Sequence, residues 1–405
     1  MTAPLQSIRV LDFTRVLSGP HCTRMLVDLG ADVIKVEPKQ GDLTRFFVPR
    51  VNSLALYFIQ QNVGKRNISV DIEKPAGVEL LLKLVPHVDI VVENNRPGVM
   101  DRLGLGYERM RALNDRLVFA SITGYGQDDI PWRDRPAYAP TVHADMGLLH
   151  TVSRARGVDP FHDPYSHADQ YSGMQCVTAI LAALVHRERT GEGARIDVSM
   201  AESTLFATEL LAMQMARPDE DRPPNPLDGR SPIFHTKEGH FVTVAGDPTP
   251  RGTFRSWCAA MERSDLEDDP RFVDDDTRRK NRKALLDVIQ EWILTFDDLE
   301  VLDKAMQRGR LVLGVIRSVH EAVATPWAEE RGAVVHVTDR GKGTVHVPNT
   351  PWRFAGLETG VRGEPAYRGE HNREVFTQLA GLSAEEIEKL EANEVLLHRG
   401  PRQPQ

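Results

Sequence analysis

The sequence predicts an α/β protein built on an open, mostly parallel sheet with helices on both faces. Three observations carry this. Strand and helix signals alternate through the first half of the chain, the pattern of successive crossover units. Prolines open the helical stretches and glycines close them. Beyond a proline- and charge-rich segment at 216–232 the texture changes to a short strand and charged helices, as in a smaller α+β domain.

The elements follow in order. IRVLDF, ending at Phe13, reads as a strand, and TRVLSGP as the loop after it. Pro20 starts a helix that Gly30 stops, and ADVIKVEP is the second strand, ending at Pro38. Two parallel strands joined this way need the intervening crossover and are buried on both faces. NISVD, ending at Asp71, is a short strand; Pro75 opens a helix; DIVVEN, ending at Asn94, is another strand. Residues 97–114 hold a helical stretch interrupted by GLGY, and LVFASITGYG runs from strand to loop at Gly126. A long helix covers Gln170 to Arg189, ARIDVSM is a strand, and AESTLFATELLAMQM a further helix. After the linker come the strand FVTVAG, helices from Arg251 to about His320, a hairpin turning at GKG, and two capped amphipathic helices near the end. The tail PRQPQ is expected to fray. The domain layout is therefore 1–215, a linker at 216–232, a small domain at 233–330, and 331–405.

With 405 residues, two domains are the default. Hydrophobic residues at 41% and charged residues at 27% are normal for a soluble globular chain. No apolar run approaches the roughly 18 residues of a membrane span. MTAPLQSIRVLDF has no basic patch ahead of an apolar stretch, so it does not read as a secretion signal, and the mature protein is expected to begin here. A net charge of −8 and a pI near 6.0 argue against nucleic acid as a partner. Cys22, Cys176 and Cys258 are odd in number and widely spaced, which fits a reducing cytoplasm.

No dinucleotide fingerprint, phosphate-binding Walker loop, zinc-protease helix or serine elbow occurs. His143, His150, His162 and His167 lack a ligand spacing, so no metal is expected. Asp274, Asp275 and Asp276 precede a helix and read as structural. Asp169, in DPYSHADQYSGM, is placed at the N-cap of the long helix. There the N–H groups and the helix dipole favour its carboxylate, which beside spare donors can attack a thioester carbonyl. Asp is also a common N-cap with no other role, so the pattern alone leaves both readings open. The loop Thr14–Pro20 can hold a phosphate or adenine through backbone N–H groups. Arg96 and Arg102 suit pyrophosphate recognition or a solvated surface equally.

Taken together, VLDFTRVLSGP, LGADVIKVEP, VGKRNISVDIEKPAG, VVENNRPGVMDRLGLGY, ASITGYGQ, HADQYSG, TGEGARIDVSMAEST and YRGEHNREV resemble the class III CoA-transferases, a family that includes the α-methylacyl-CoA racemases. The likeness spans almost the whole chain. It implies a Rossmann-like large domain completed by the C-terminal residues, and a homodimer of interlocked ring-like subunits. It implies that Asp169 attacks the donor acyl-CoA and passes through a mixed anhydride and an aspartyl-CoA thioester. Coenzyme A is then a substrate as its thioester and no cofactor is bound permanently. CoA contacts map onto Val16, Leu17, Ser18, Asn94, Asn95, Arg96, Arg102 and Leu103. Arg15, Tyr138 and Met200 map to the substrate side.

The chain departs from formyl-CoA transferases at Leu17 and Arg15, and lacks their run of consecutive glycines, so formyl-CoA and oxalate are not the expected substrates. Pro38 stands where the family has an adenine-side arginine. Arg15, Arg45 and Arg50 are candidates to face a dicarboxylate, which makes succinyl-CoA the first donor to test. The family's racemases have a histidine where this chain has Tyr138, with His143 nearby but offset; transferase is favoured over racemase, and a non-catalytic acyl-CoA binder is the third reading.

Overall fold

A computed structural model of the chain describes residues 2–216 and 231–400. The expected linker falls mainly on 217–230 and the expected frayed tail on 401–405, both outside the described residues.

Contacts divide the chain into two compact units: Met1–Leu149 with Phe161–Ala212 and Pro326–Gln405, and His150–Pro160 with Met213–Thr325. The first is built on six parallel strands: β1 (Arg9–Asp12), β2 (Asp32–Glu37), β3 (Arg66–Ser69), β4 (Ile90–Glu93), β5 (Val118–Thr123) and β6 (Ala194–Ser199). Their spatial order is 3-2-1-4-5-6. The order reverses between β1 and β4, and in such sheets the crevice beyond the strand ends at that point receives ligands. Because side chains alternate across a sheet, Val10 enters one core and Leu11 the other. The first core holds α1 (Ser18–Asp28) and the second α2 (Pro75–Leu82).

The late motif YRGEHNREV finds its physical reason here. The Gly369 N–H donates to Asn67 Oδ1 at 2.7 Å, the Asn67 N–H to His371 Nδ1 at 3.1 Å, and the Ser69 N–H to Asn372 Oδ1 at 2.9 Å. These bonds satisfy the open edge of β3, and Val375, Phe376 and Ile387 enter the second core.

Several elements differ from expectation, three of them near the site. The long helix, α4 (His167–Thr190), begins before Gln170; the helix predicted over residues 201–215 breaks at Thr208, whose backbone is extended; and a helix, α3 (Ala139–Asp145), occupies a stretch with no predicted element. Its Pro140 sits in the first turn, where a missing N–H costs nothing. The segment after Thr208 forms its own short helix, Glu209–Met215, and α5 (Met200–Ala207) precedes it.

The second unit carries a three-stranded antiparallel sheet (Ile233–His235, Phe241–Val244, Leu313–Val315) packed with helices around fully buried Trp257. Asp274 caps a helix, accepting the Thr277 N–H at 2.8 Å, the structural role expected of it. Among the described residues no helix is long and apolar enough to cross a membrane.

Candidate active site

A cavity of about 230 Å³ opens beyond the carboxyl ends of the sheet strands. Its floor is the loop between β1 and α1. Val16 there has φ of 67°, a left-handed conformation that a β-branched residue adopts only when its surroundings impose it. Asn94, just past β4, supplies the imposition. Its Oδ1 accepts the Arg15 N–H at 2.8 Å, and its Nδ2 donates to Arg15 O at 2.8 Å and to Ser18 Oγ at 3.1 Å. One amide thus fixes both sides of the turn across the switch point.

Beneath the loop lies a charged network that sequence reasoning missed. Asp12 accepts from the Thr14 N–H at 2.9 Å, Thr23 Oγ1 at 2.8 Å and Lys65 Nζ at 3.1 Å. Lys35 donates to Thr14 O at 2.7 Å and pairs with Asp42 at 3.1 Å. All four charged groups are buried. Burial opposes the ionised form of each; the neighbouring lysines nonetheless hold Asp12 below its ordinary value and Asp42 at about 2, while burial brings Lys65 down to about 8. The available signal was Lys35 inside the apolar run DVIKVE, since an unpaired lysine is not tolerated on a buried strand.

Asp169 lies in the first turn of α4 rather than at its N-cap, which is Ser166. The backbone N–H groups of Ser18, the first residue of α1, and Ala139, the first of α3, lie near its carboxylate and favour the ionised form. The starts of three helices therefore meet at one carboxylate. Gly173, one turn further along α4, permits this: a Cβ there would stand 2.7 Å from Ser18 O. Burial pushes the Asp169 pKa up to about 6, and the two helix-start N–H groups pull the other way, in favour of the carboxylate as expected from the sequence.

Eight of the residues singled out from sequence line this cavity with Asp169: Arg15, Val16, Ser18, Asn94, Asn95, Arg96, Tyr138 and Met200. Leu17 does not; it is buried at the N-cap of α1. Arg102 lies outside it as well, on the short helix Val99–Arg102. Leu103 lines an adjoining cavity with Phe13, Pro38, Ile72 and Met100, and Arg15 and Asn95 border both. Of the three arginines proposed to face a dicarboxylate, only Arg15 reaches the Asp169 cavity; Arg45 is paired to Glu37 at 2.6 Å and Arg50 donates to the Phe47 carbonyl at 3.0 Å. Arg133 and Arg135, not singled out from sequence, line it too. Arg135 pairs with Asp145 at 2.8 Å.

His143 is committed elsewhere. Its Nε2 accepts the Ala168 N–H at 3.1 Å, so it satisfies a free donor of α4, and burial holds its pKa below the ordinary value.

Known proteins resemble the chain along almost its whole length. The sequence profile described as CoA-transferase family III matches residues 5–372. A succinyl-CoA–D-citramalate CoA-transferase of Chloroflexus aurantiacus is 31% identical over 401 residues, covering 97% of this chain and 98% of that protein. A formyl-CoA:oxalate CoA-transferase of Streptomyces avermitilis is 32% identical, covering 98% and 100%. A CAIB/BAIF family protein from Brucella suis superposes with a TM-score of 0.80 at 28% identity, covering 94% of this chain and 100% of that one.

Proposed function

The chain belongs to CoA-transferase family III and is a CoA-transferase, and from that premise we propose that Asp169 is the nucleophile that carries coenzyme A between two carboxylic acids. The observation that supports this is a half-buried carboxylate, at the meeting point of three helix starts, lining an open cavity. At a pKa of about 6 it is ionised at neutral pH yet more basic, and so more nucleophilic, than a solvated aspartate.

The steps balance without a net proton or electron. Asp169 attacks the donor thioester carbonyl and expels CoA thiolate, leaving a mixed anhydride. The thiolate attacks the Asp169 carbonyl of that anhydride, so the donor acid departs and an aspartyl-CoA thioester remains. The acceptor carboxylate attacks that thioester, expelling thiolate and forming a second anhydride. The thiolate then attacks the acceptor carbonyl, freeing the product thioester and the Asp169 carboxylate. In this reading the Ser18 and Ala139 N–H groups, which favour the carboxylate at rest, stabilise the oxyanion each time the Asp169 carbonyl is attacked.

In this reading Val16, Ser18, Asn94, Asn95 and Arg96 hold the pantetheine and diphosphate, with Leu103 at the adenine end; Arg15, Tyr138 and Met200 border the acyl group. Leu17 and Arg102 act at most through their neighbours. The relatives named for succinyl-CoA keep succinyl-CoA as the first donor to test. A racemase would need a second base, and His143 spends its acceptor nitrogen on Ala168. An interlocked homodimer follows the family resemblance, and three buried free cysteines fit the cytoplasm.

The test is intact mass spectrometry of the protein incubated with a panel of acyl-CoAs, followed by hydroxylamine trapping. An acyl or CoA adduct on Asp169 that is absent from Asp169→Ala supports the reading. No adduct with any donor, together with solvent deuterium entering a 2-methylacyl-CoA, replaces it with the racemase.

A further inference from the structure

A second cavity, about 240 Å³, shares no lining residue with the Asp169 cavity. Four arginines line it: Arg45, Arg50, Arg368 and Arg399. Among the described residues only one is paired with a carboxylate. Arg45 pairs with buried Glu37 at 2.6 Å and lies over the Phe58 ring at 3.7 Å. Arg50 donates from Nε and Nη2 to the carbonyls of Phe47 and Phe46, which carry no full charge, and these two bonds use two of its five N–H donors. Arg399 has no ion pair among the described residues, and its backbone N–H bonds Arg368 O at 2.9 Å, which ties the two strands of chain together.

Arg368 is the least satisfied of the four. It donates to the Lys39 carbonyl, but its Nε is buried with no hydrogen-bond partner among the described residues. Burial, and after it the like charges of Arg399 and Arg45, pull its pKa below the ordinary arginine value against the opposing pull of Glu37. A chain of net charge −8 thus gathers uncompensated guanidinium groups around one hollow. The buried Arg368 Nε lacks an acceptor and the neighbouring guanidinium groups repel it, so an anion that completes the group is favoured. Guanidinium forks match phosphate oxygens in pairs, and a phosphate monoester brings a charge of about −1.5 to −2 at neutral pH, enough to offset more than one arginine.

We propose that this arginine-lined cavity is a second anion site that binds the phosphate monoester of a small molecule through Arg50, Arg368 and Arg399. Two sources carry that chemistry. One is a separate phosphorylated metabolite. The other is the 3′-phosphate of coenzyme A itself, because Gln40 borders both this cavity and the one that Leu103 and Pro38 line; this arm rests on the transfer reading above.

The experiment is calorimetric titration of the full-length protein with inorganic phosphate, CoA and 3′-dephospho-CoA. It is run on the wild type, on Arg50→Gln/Arg399→Gln, whose side chains are both exposed, and on Arg368→Gln. A phosphate affinity at least tenfold weaker in the variants, with CoA and dephospho-CoA bound alike throughout, supports a separate ligand. A tenfold preference for CoA over dephospho-CoA that the variants erase supports the 3′-phosphate. A wild type that neither binds phosphate nor tells the two thiols apart overturns the proposal, as does a double variant that keeps the wild-type behaviour. The acyl adduct on Asp169, read in the same preparations, tests the transfer reading separately: an adduct without anion binding sinks only the second site.

Discussion

The backbone N–H of Ser18 lies near the Asp169 carboxylate, and Gly173 on the same helix lets Ser18 come that close. Gly173→Ala places a methyl group 2.7 Å from the Ser18 carbonyl oxygen, backbone that yields only if α1 or α4 shifts. The expected loss of stability is about 1–3 kcal/mol by the usual cost of overpacking. The expected loss of kcat is tenfold or more, because the Ser18 donor moves with its helix. Denaturant titration and steady-state kinetics on one preparation check both; an unchanged kcat would show that the Ser18 contact does not matter to the chemistry.

The rate of acyl-adduct formation should rise with pH through about 6 and level off above about 7, since Asp169 attacks only when ionised. Single-turnover quench experiments between pH 4.5 and 8.5 measure this. A flat profile over that range would place the pKa of the attacking group elsewhere.

Stability carries the same signature with a definite sign. The Asp169 pKa is raised from 3.8 to about 6, so the folded state holds the proton more tightly than the unfolded chain. Ionisation therefore costs folding free energy above pH 6, up to about 3 kcal/mol, and costs nothing below roughly pH 4. Asp169→Asn, which keeps an acceptor but not the charge, should melt higher than the wild type at pH 8. That margin should shrink as pH falls through 6 and close near 4. Thermal melts across this range decide it, and a margin independent of pH would contradict the raised pKa.

Asn94→Ala removes the amide that holds both Arg15 and Ser18. The turn at Val16 then loses its clamp, and a β-branched residue leaves a left-handed conformation costing about 1–3 kcal/mol. The KM for acyl-CoA should rise at least tenfold while global stability changes by less than about 2 kcal/mol. Equal effects on KM and on melting would instead mark Asn94 as a general structural residue.

Lys65→Met leaves Asp12 with the charge of Lys35 alone beneath the loop. Breaking a buried pair from one side costs about 3–5 kcal/mol. Asp12→Asn combined with Lys65→Met should recover part of that loss, which equilibrium unfolding of the two variants would show.

The sequence by itself determined the alternation of strands and helices, and with it the parallel sheet, because crossover units print their period and their proline and glycine punctuation locally. It also determined the family, through motifs kept in order along the chain. It marked Asp169, Asn94 and the loop at Val16 as residues of interest. The tertiary structure decided what those residues experience. The pKa of Asp169 depends on burial among segments starting at Ser18, Ala139 and His167, and burial is a sum over neighbours distant in sequence. His143 looked like a displaced base until its acceptor nitrogen was found on Ala168. Arg45 and Arg50 carried the same charge as Arg15 on the page, and only folding sent them to a different cavity, where Arg368 and Arg399 arrive from the far end of the chain. Charge is written in the sequence, whereas the partner that neutralises it, or fails to, is fixed only when the chain closes on itself.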